Sequence, residues 1–440
     1  MRRLCLLSCS LVGCVVADPP DGSRDPAPEE VDQGVCAAVW GEIPAGGRLF
    51  VDAAAAPGGD GSITAPFDTI GGGITAARTT RIRSVAIAGG EYEHRLRLND
   101  AVLGWEDAGL EVTGCGQGVT ILHAVIVEEE DLEGGWSQYV QPIVDINGIG
   151  TDGVVVRDFT AVGGRRAVMV RGGAGAGEPV VIQRVTLQES IRVGVLVDGL
   201  ETVANLSEVH VDGMVAEDGL GHGIAIQTGA WVTDTIPGPT TISNSAVEGA
   251  VGVGILAEGG WNTLTDVSVT GTLPLDGELG RGIQLQSRTR ADLLRVTSLG
   301  NSDAALFVHM AGREGEGINI VDSILGDTIG SDVAGTGETA GEGLSVTNGT
   351  DPTTTSELVT LTGTSFSGNV RADVLVDGGS LEIGAGNSFG AQGQFGVVVQ
   401  GEGVAQGPGG GPPDVGVTQL SGADSLGLIS DALGLDGLDQ

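Results

Sequence analysis

A histidine held between two glycines, Gly221-His222-Gly223, and an arginine in the same setting, Gly280-Arg281-Gly282, are the residues best placed for chemistry. Each closes a stretch rich in carboxylates, Glu217 and Asp218 before the first, Asp276 and Glu278 before the second. A third such stretch carries Asp327, Asp332 and Glu338. A histidine or arginine among carboxylates can move a proton, and carboxylate oxygens can hold Ca²⁺. Asp218, His222, Asp276 and Arg281 are therefore the candidate catalytic residues. Arg166, Arg192 and Arg281 are candidates for gripping the carboxylate or sulfate groups of a polysaccharide. A guanidinium pairs with such anions through two parallel hydrogen bonds. Trp231 and Trp261 offer aromatic faces on which a sugar ring could stack. Each has a plainer reading: His222 as a surface residue of a turn, the arginines paired with loop acids, the tryptophans packed under a loop.

Spacing assigns these residues to a common scaffold. From about Val154 to Gly401 a tetrad recurs, a small or polar residue followed by mostly aliphatic ones. It reads Ala167-Val168-Met169-Val170, Gly194-Val195-Leu196-Val197 and Gly223-Ile224-Ala225-Ile226, with further copies beginning at Gly254, Gly282, Ala305, Gly343, Asp373 and Gly396. The mean spacing is about 29 residues, inside the range of stacked repeats. Between the tetrads runs a second motif, as in Ile182-Gln183-Arg184-Val185-Thr186-Leu187 and Leu206-Ser207-Glu208-Val209-His210-Val211. Alternation over so few residues is a strand pattern, not a helical one. Each repeat then holds two or three short strands. One such coil buries its apolar side only by stacking on the next. The expectation is an all-β chain, a single right-handed parallel β-helix with coils about 4.8 Å apart and the tetrads pointing into a shared interior.

Two registers follow. The third residue of the second motif lies at a bend, giving the column Asp158, Arg184, Glu208, Asn244, Asp266, Arg295 and Asp322. It mostly alternates acid and base, as a structural ladder of ion pairs would. The gap from the second motif to the next tetrad lengthens before Ile224, Ile283 and Leu344, and these longer segments carry the carboxylates named above. They fall at the same place in the coil and should emerge on one face, which in repeat proteins is often the binding face. On the same alignment Arg166, Arg192, His222 and Arg281 line one edge of an acidic rod, and Trp231 and Trp261 lie in adjacent coils.

Over roughly residues 48–401 the pattern resembles the right-handed parallel β-helix proteins of the pectin-lyase-like superfamily. Leu49-Phe50-Val51-Asp52, Gly59-Asp60-Gly61-Ser62 and Ala65-Pro66-Phe67 resemble their opening segment, and Ala88-Gly89-Gly90-Glu91-Tyr92 the turn after their first strand. The resemblance implies the fold. It does not choose a function, because the scaffold serves lyases, hydrolases, adhesins and binding proteins. Gly221-His222-Gly223-Ile224 resembles the Gly-His-Gly motif of polygalacturonases. The carboxylates of that family would fall where this chain has Arg166, Arg192 and Val193, and its later lysine has no counterpart in a chain without lysine. Hydrolysis on that pattern lacks its pair of carboxylates. Arg281 with Asp218 and Asp276 resembles instead the arginine base and Ca²⁺-binding carboxylates of pectate lyases.

The chain of 440 residues carries a net charge of −37, which repels nucleic-acid phosphate and favours cations. Met1-Arg2-Arg3 and the apolar run after it form a leader too short to span a bilayer. It ends in Leu11-Val12-Gly13-Cys14, which resembles a bacterial lipobox with Cys14 as the lipidated residue. The expected organisation is a signal peptide (1–13), a disordered tether (14–35), an N-terminal cap with the first coils (36–153), the repeats (154–401) and a Gly/Pro-rich linker and tail (402–440). Phe67, Ile70, Ile74 and Ala77 stand at helical spacing, as a cap would require. Cys36 and Cys115 either pair in an oxidising compartment or remain buried thiols. Glu128-Glu129-Glu130-Asp131 reads as a solvated loop, and the leucines from Leu420 onward either close the rod or dock on another protein.

These features describe an extracytoplasmic protein, lipid-anchored at the outer membrane or cell surface, that binds glycan or another surface partner without catalysis. Two alternatives stand beside it. One is a polysaccharide lyase or glycoside hydrolase working near His222 and Arg281. The other is a structural or adhesive rod. No cofactor is expected beyond Ca²⁺, no nucleic-acid partner, and no membrane contact except through the anchor.

Overall fold

A computed structural model describes residues 33–93, 96–98, 107–124, 142–148, 151–172, 178–200, 202–217, 220–228, 238–275, 279–309, 317–331, 339–347, 358–390, 395–421 and 425–426. Cys14, the tether, the acidic run from Glu128, Asp218, Trp231, Asp276, Glu278, Asp332 and Glu338 lie outside the described residues. Within them the chain is nearly all β and winds as a right-handed parallel β-helix. One side is a ladder of 12 parallel strands from Leu96–Leu98 to Val417–Gln419. At the usual rung spacing this ladder spans roughly 50 Å. The remaining sides form a 20-stranded parallel sheet, in which long strands such as Val180–Gln188 and Ala204–Asp212 turn the corner unbroken.

That corner is the bend column read from the sequence. Asp158, Arg184, Glu208, Asn244, Asp266, Arg295 and Asp322 all have φ between 49° and 66°. Left-handed backbone is costly for residues with a Cβ, and here it recurs on every coil because it lets a strand turn while its neighbours stay paired. Part of the cost is offset across the rungs. Arg184 donates to both oxygens of Asp158 (2.5 and 2.8 Å), and Arg295 does the same to Asp266 (2.6 and 2.7 Å). The next corner solves the same problem with glycine, at Gly163, Gly213, Gly249, Gly271, Gly300 and Gly368. Glu189 and Asp327 take the left-handed conformation there instead. Asp327 is therefore a corner residue and not part of a loop carboxylate set.

The tetrads do point inward, with one refinement. Their second and fourth residues, such as Ile224 and Ile226 or Ile255 and Ala257, belong to a continuous core running from Leu49 to Val399. The third residue faces outward. The first is small because the chain there presses on the opposite wall: a Cβ on Gly194 would lie 2.6 Å from the Gly223 carbonyl and 2.9 Å from Val211 Cγ1. Asp373 occupies that place in one coil, buried, with Asn369 donating to it at 3.0 Å.

Both ends are closed. Helix α1 (Gln33–Trp40) is tied to an early coil by the Cys36–Cys115 disulfide, and Trp40 Nε1 donates to the Gly114 carbonyl at 3.0 Å. Helix α2 (Ile70–Thr80) starts at Thr69, whose side chain accepts from the Gly72 amide, and buries Ile70, Gly73, Ile74 and Ala77. Gly73 lets the helix lie directly on Val51. The expected linker after Gly401 is not a linker over its described part. Val404–Gln406 and Val417–Gln419 add rungs to the two sheets. Leu420 and Leu426 pack against a cluster of Ala372, Leu375 and Val398, and the Leu426 amide donates to Gln400 Oε1 at 2.8 Å. The described tail closes the rod.

Candidate functional site

The outward third residues of the tetrads define the face on which chemistry is concentrated. Read up the 12-stranded ladder they are Met169, Leu196, Ala225, Leu256, Gln284, Phe307, Ser345, Leu375 and Val398. The face is apolar at both ends, where Met169, Leu196, Ala225 and Leu256 form one cluster and Leu375 and Val398 another. Its middle is polar. Three successive strands, Arg281–Gln286, Ala304–His309 and Glu342–Thr347, with Asp303 just before the second, place Arg281, Gln284, Gln286, Asp303, His309, Glu342, Ser345 and Thr347 there, all buried.

Register brings these groups together. Ala304 pairs with Glu342, and Glu342 with Ala372. Arg281, Asp303, Glu342 and Arg371 thus come from four consecutive coils, as cation, anion, anion, cation. Arg281 Nε donates to Asp303 at 3.2 Å, its Nη1 donates to Gln284 Oε1 at 2.8 Å, and its guanidinium lies 3.8 Å from the centre of the Phe307 ring. Phe307 stacks in turn on His309, whose Nδ1 is 2.8 Å from Thr347 Oγ1. Arg371 is hydrogen-bonded to Glu342. Ser331 Oγ donates to the other Asp303 oxygen at 3.0 Å. Burial raises the Glu342 pKa, the Arg371 charge opposes that, and the neighbouring Asp303 adds to it. Removing a carboxylate from water disfavours its charged form, and a second carboxylate does the same.

The sequence-predicted residues fall differently around this centre. Arg166, Val193 and His222 share one outward column, and Val253 and Arg281 continue it. The column exists, but not as an open basic edge. Arg281 and His222 are fully buried, Arg192 is 5 % exposed, and Arg166 is half-buried. The reason lies in the long insertions. Their described parts do emerge at one edge, with Val215 bridged to Ile191 and Leu273 to Val251. They then fold back over the face: Leu220 joins the Met169 cluster, and Ala340 packs on Ala304 and Phe307. Glu217 is held by Arg165 at 3.0 Å. His222, expected at the surface on the plainer reading, has neither ring nitrogen hydrogen-bonded and is pushed down to about 4 by burial and by Arg192. Trp261 stands away from this face, at the start of a strand of the 20-stranded sheet. Arg290 covers its ring at 4.1 Å and Asp292 accepts from its Nε1 at 3.0 Å.

Asp303, Glu342, Phe307, His309 and Arg371 were missed by sequence reasoning. The signal was present in the tetrads. Only Gln284 and Ser345 put a hydrogen-bonding residue in the third place, and they flank Phe307. The sequence objection to hydrolysis was the lack of carboxylates near Arg166 and Arg192. The structure puts two carboxylates on the same face, farther along the rod. Among the described residues no group of three or more His, Cys, Asp or Glu side chains is gathered as for a metal ion. Nor is any helix among them long and apolar enough to cross a membrane.

The likeness to known structures is one of architecture. The catalytic domain of a GH87 α-1,3-glucanase in complex with tetrasaccharides matches 80 % of this chain at 12 % identity and a TM-score of 0.45, and the chain covers 66 % of that domain, just under two thirds. The A-module of the Azotobacter vinelandii mannuronan C-5 epimerase AlgE4 matches 77 % of this chain and 93 % of its own length at 16 % identity and a TM-score of 0.41. Pectate lyase Pel9A matches 86 % of this chain and 77 % of its own length at 12 % identity and a TM-score of 0.36. Similarity this low transfers no residue role. No protein-family model and no curated protein matches the chain.

Proposed function

We propose that this chain is a polysaccharide-processing β-helix enzyme, a glycoside hydrolase or lyase, whose site is the polar middle of the 12-stranded face. The observation that carries this reading is the pair of carboxylates, Asp303 and Glu342, from neighbouring coils, each held by a guanidinium. Glycoside hydrolysis needs one carboxyl group that delivers a proton and a second that stays ionised. Glu342, with its raised pKa, suits the first role, and Asp303, charge-paired with Arg281, suits the second. Phe307 supplies an apolar surface beside them. The substrate reaches them by displacing the insertions that cover the face. The test is a panel of neutral and acidic polysaccharides, with and without Ca²⁺, followed by new reducing ends and by unsaturated-uronide absorbance. Turnover that disappears in Glu342→Gln and Asp303→Asn, both still folded, supports the proposal. No turnover on any polymer sinks it.

A second reading, glycan binding without catalysis, is favoured by the pairing of the buried charges and by the half-exposed group of Trp261, Arg290 and Asp292 on the other sheet. Oligosaccharide binding without turnover, lost in Trp261→Ala, would select it. We further propose anchoring through Cys14 at the outer membrane, on the strength of Leu11-Val12-Gly13-Cys14. Incorporation of radiolabelled palmitate in the wild type but not in Cys14→Ser checks this.

A further inference from the structure

We propose that His222 is an acid-triggered latch, which holds the cover over the N-terminal part of the face while neutral and releases it once protonated. The reading does not depend on the proposed activity.

Packing alone does not ask for a histidine here. The equivalent positions on the two neighbouring strands are Val193 and Val253, both fully buried in the apolar cluster that includes Leu220. Buried polar side chains are nearly always hydrogen-bonded. The His222 ring is wholly out of water, yet neither nitrogen has a partner. Gly252 stands beside the ring, with Leu275 next to it: a Cβ added at Gly252 would stand 3.5 Å from the imidazole Cε1 and 3.6 Å from Leu275 Cβ. A neutral ring is tolerable in such a place. An imidazolium is not, because a buried charge needs a counter-charge.

Among the described residues the groups around it offer none. From the strand Arg192–Asp198 the facing charge is Arg192, of the same sign. The strand Val253–Glu258 presents Val253 there. Arg281, one strand farther, is engaged with Asp303. From the insertion, Glu217 is engaged with Arg165. Burial and Arg192 accordingly hold His222 near 4 instead of 6.5. Lifting Leu220 and Leu275 returns water and the ordinary value. The open form then binds the extra proton between those two limits, so opening grows up to tenfold for each pH unit of acidification below 6.5. Between pH 8 and pH 5 the gain is about 30-fold.

Amide hydrogen exchange on the full chain tests this at pH 8 and pH 5, corrected for intrinsic rates. The reporters are Val215, Leu220 and Leu273, whose amides donate to Ser190, Glu217 and Ala250. Gly363, which donates to Ala385 in a distant coil, is the control. The expected result is a loss of protection of about 30-fold at the reporters in the wild type, none at Gly363, and flat profiles in His222→Phe and His222→Gln. The glutamine variant carries the comparison should phenylalanine overfill the site. Any part played by Arg165–Glu217 survives in both variants and would show there. Equal losses in the variants, no loss in the wild type, or a matching loss at Gly363 would each overturn the latch.

Discussion

Asp303 meets Arg281 where both are almost wholly removed from water, and there an ion pair behaves unlike one at the surface. Deleting one partner strands a charge in a poor solvent, at a cost of about 3–5 kcal/mol. Asp303→Ala should therefore lower the unfolding free energy in urea by about that much. Asp266→Asn, which breaks the exposed Arg295 ion pair but keeps a side chain that tolerates the left-handed corner, should shift the urea midpoint far less, because solvent screens such pairs. Glu342 provides a check on pH. Its folded-state pKa is raised, so its protonated form favours the fold. That contribution is full below the ordinary carboxylate range and is lost as pH rises through the raised value. Glutamine cannot ionise, so the stability of Glu342→Gln relative to wild type should improve as pH climbs above about 4.5. A gap that stays constant from pH 4 to pH 8 would contradict a raised Glu342 pKa.

Within one coil, two kinds of position do the shaping: the left-handed corners and the small first residue of each tetrad. Gly194→Ala introduces a methyl where Val211 and the next coil's carbonyl already sit. Overpacking of this kind should cost about 1–3 kcal/mol in chemical denaturation. The corner column responds in the opposite sense at Glu208, which has φ 54° and whose carboxylate accepts a long 3.4 Å hydrogen bond from the Gln183 amide. So weak a contact repays little of the backbone cost. Asparagine tolerates this backbone better, so Glu208→Asn should raise Tm by roughly half a degree in a chain of this size, for a gain of about 0.5 kcal/mol. These features could be read before any coordinates. A tetrad of alternating aliphatics at a fixed period leaves one way to bury them, and the polar residue between two β-strand halves marks the bend. The direction of the third tetrad residue was not legible. Alternation places it outside, but whether outside means water depends on what folds over it. His222 and Arg281 were misplaced for that reason, and Asp303 and Glu342 were passed over.

At the scale of the rod, stability rests on stacking, so the ends matter most. The Cys36–Cys115 link closes a loop across 79 residues, and such a loop restricts the unfolded chain by roughly 4–5 kcal/mol. Cys36→Ala/Cys115→Ala should accordingly lower Tm and release helix α1 to proteolysis, with little change in the later coils. Composition, repeat period and motif spacing were enough to establish an acidic all-β solenoid with its corner ladder and an N-terminal cap helix, because those depend on neighbours near in sequence or one period away. Folding in space settled the rest: the pairing of the two cysteines, the closing of the C-terminal end, and the burial of one face beneath insertions from three coils. Those outcomes turn on contacts between segments that share no period, and the burial they bring shifts the titration of His222 downward and of Glu342 upward.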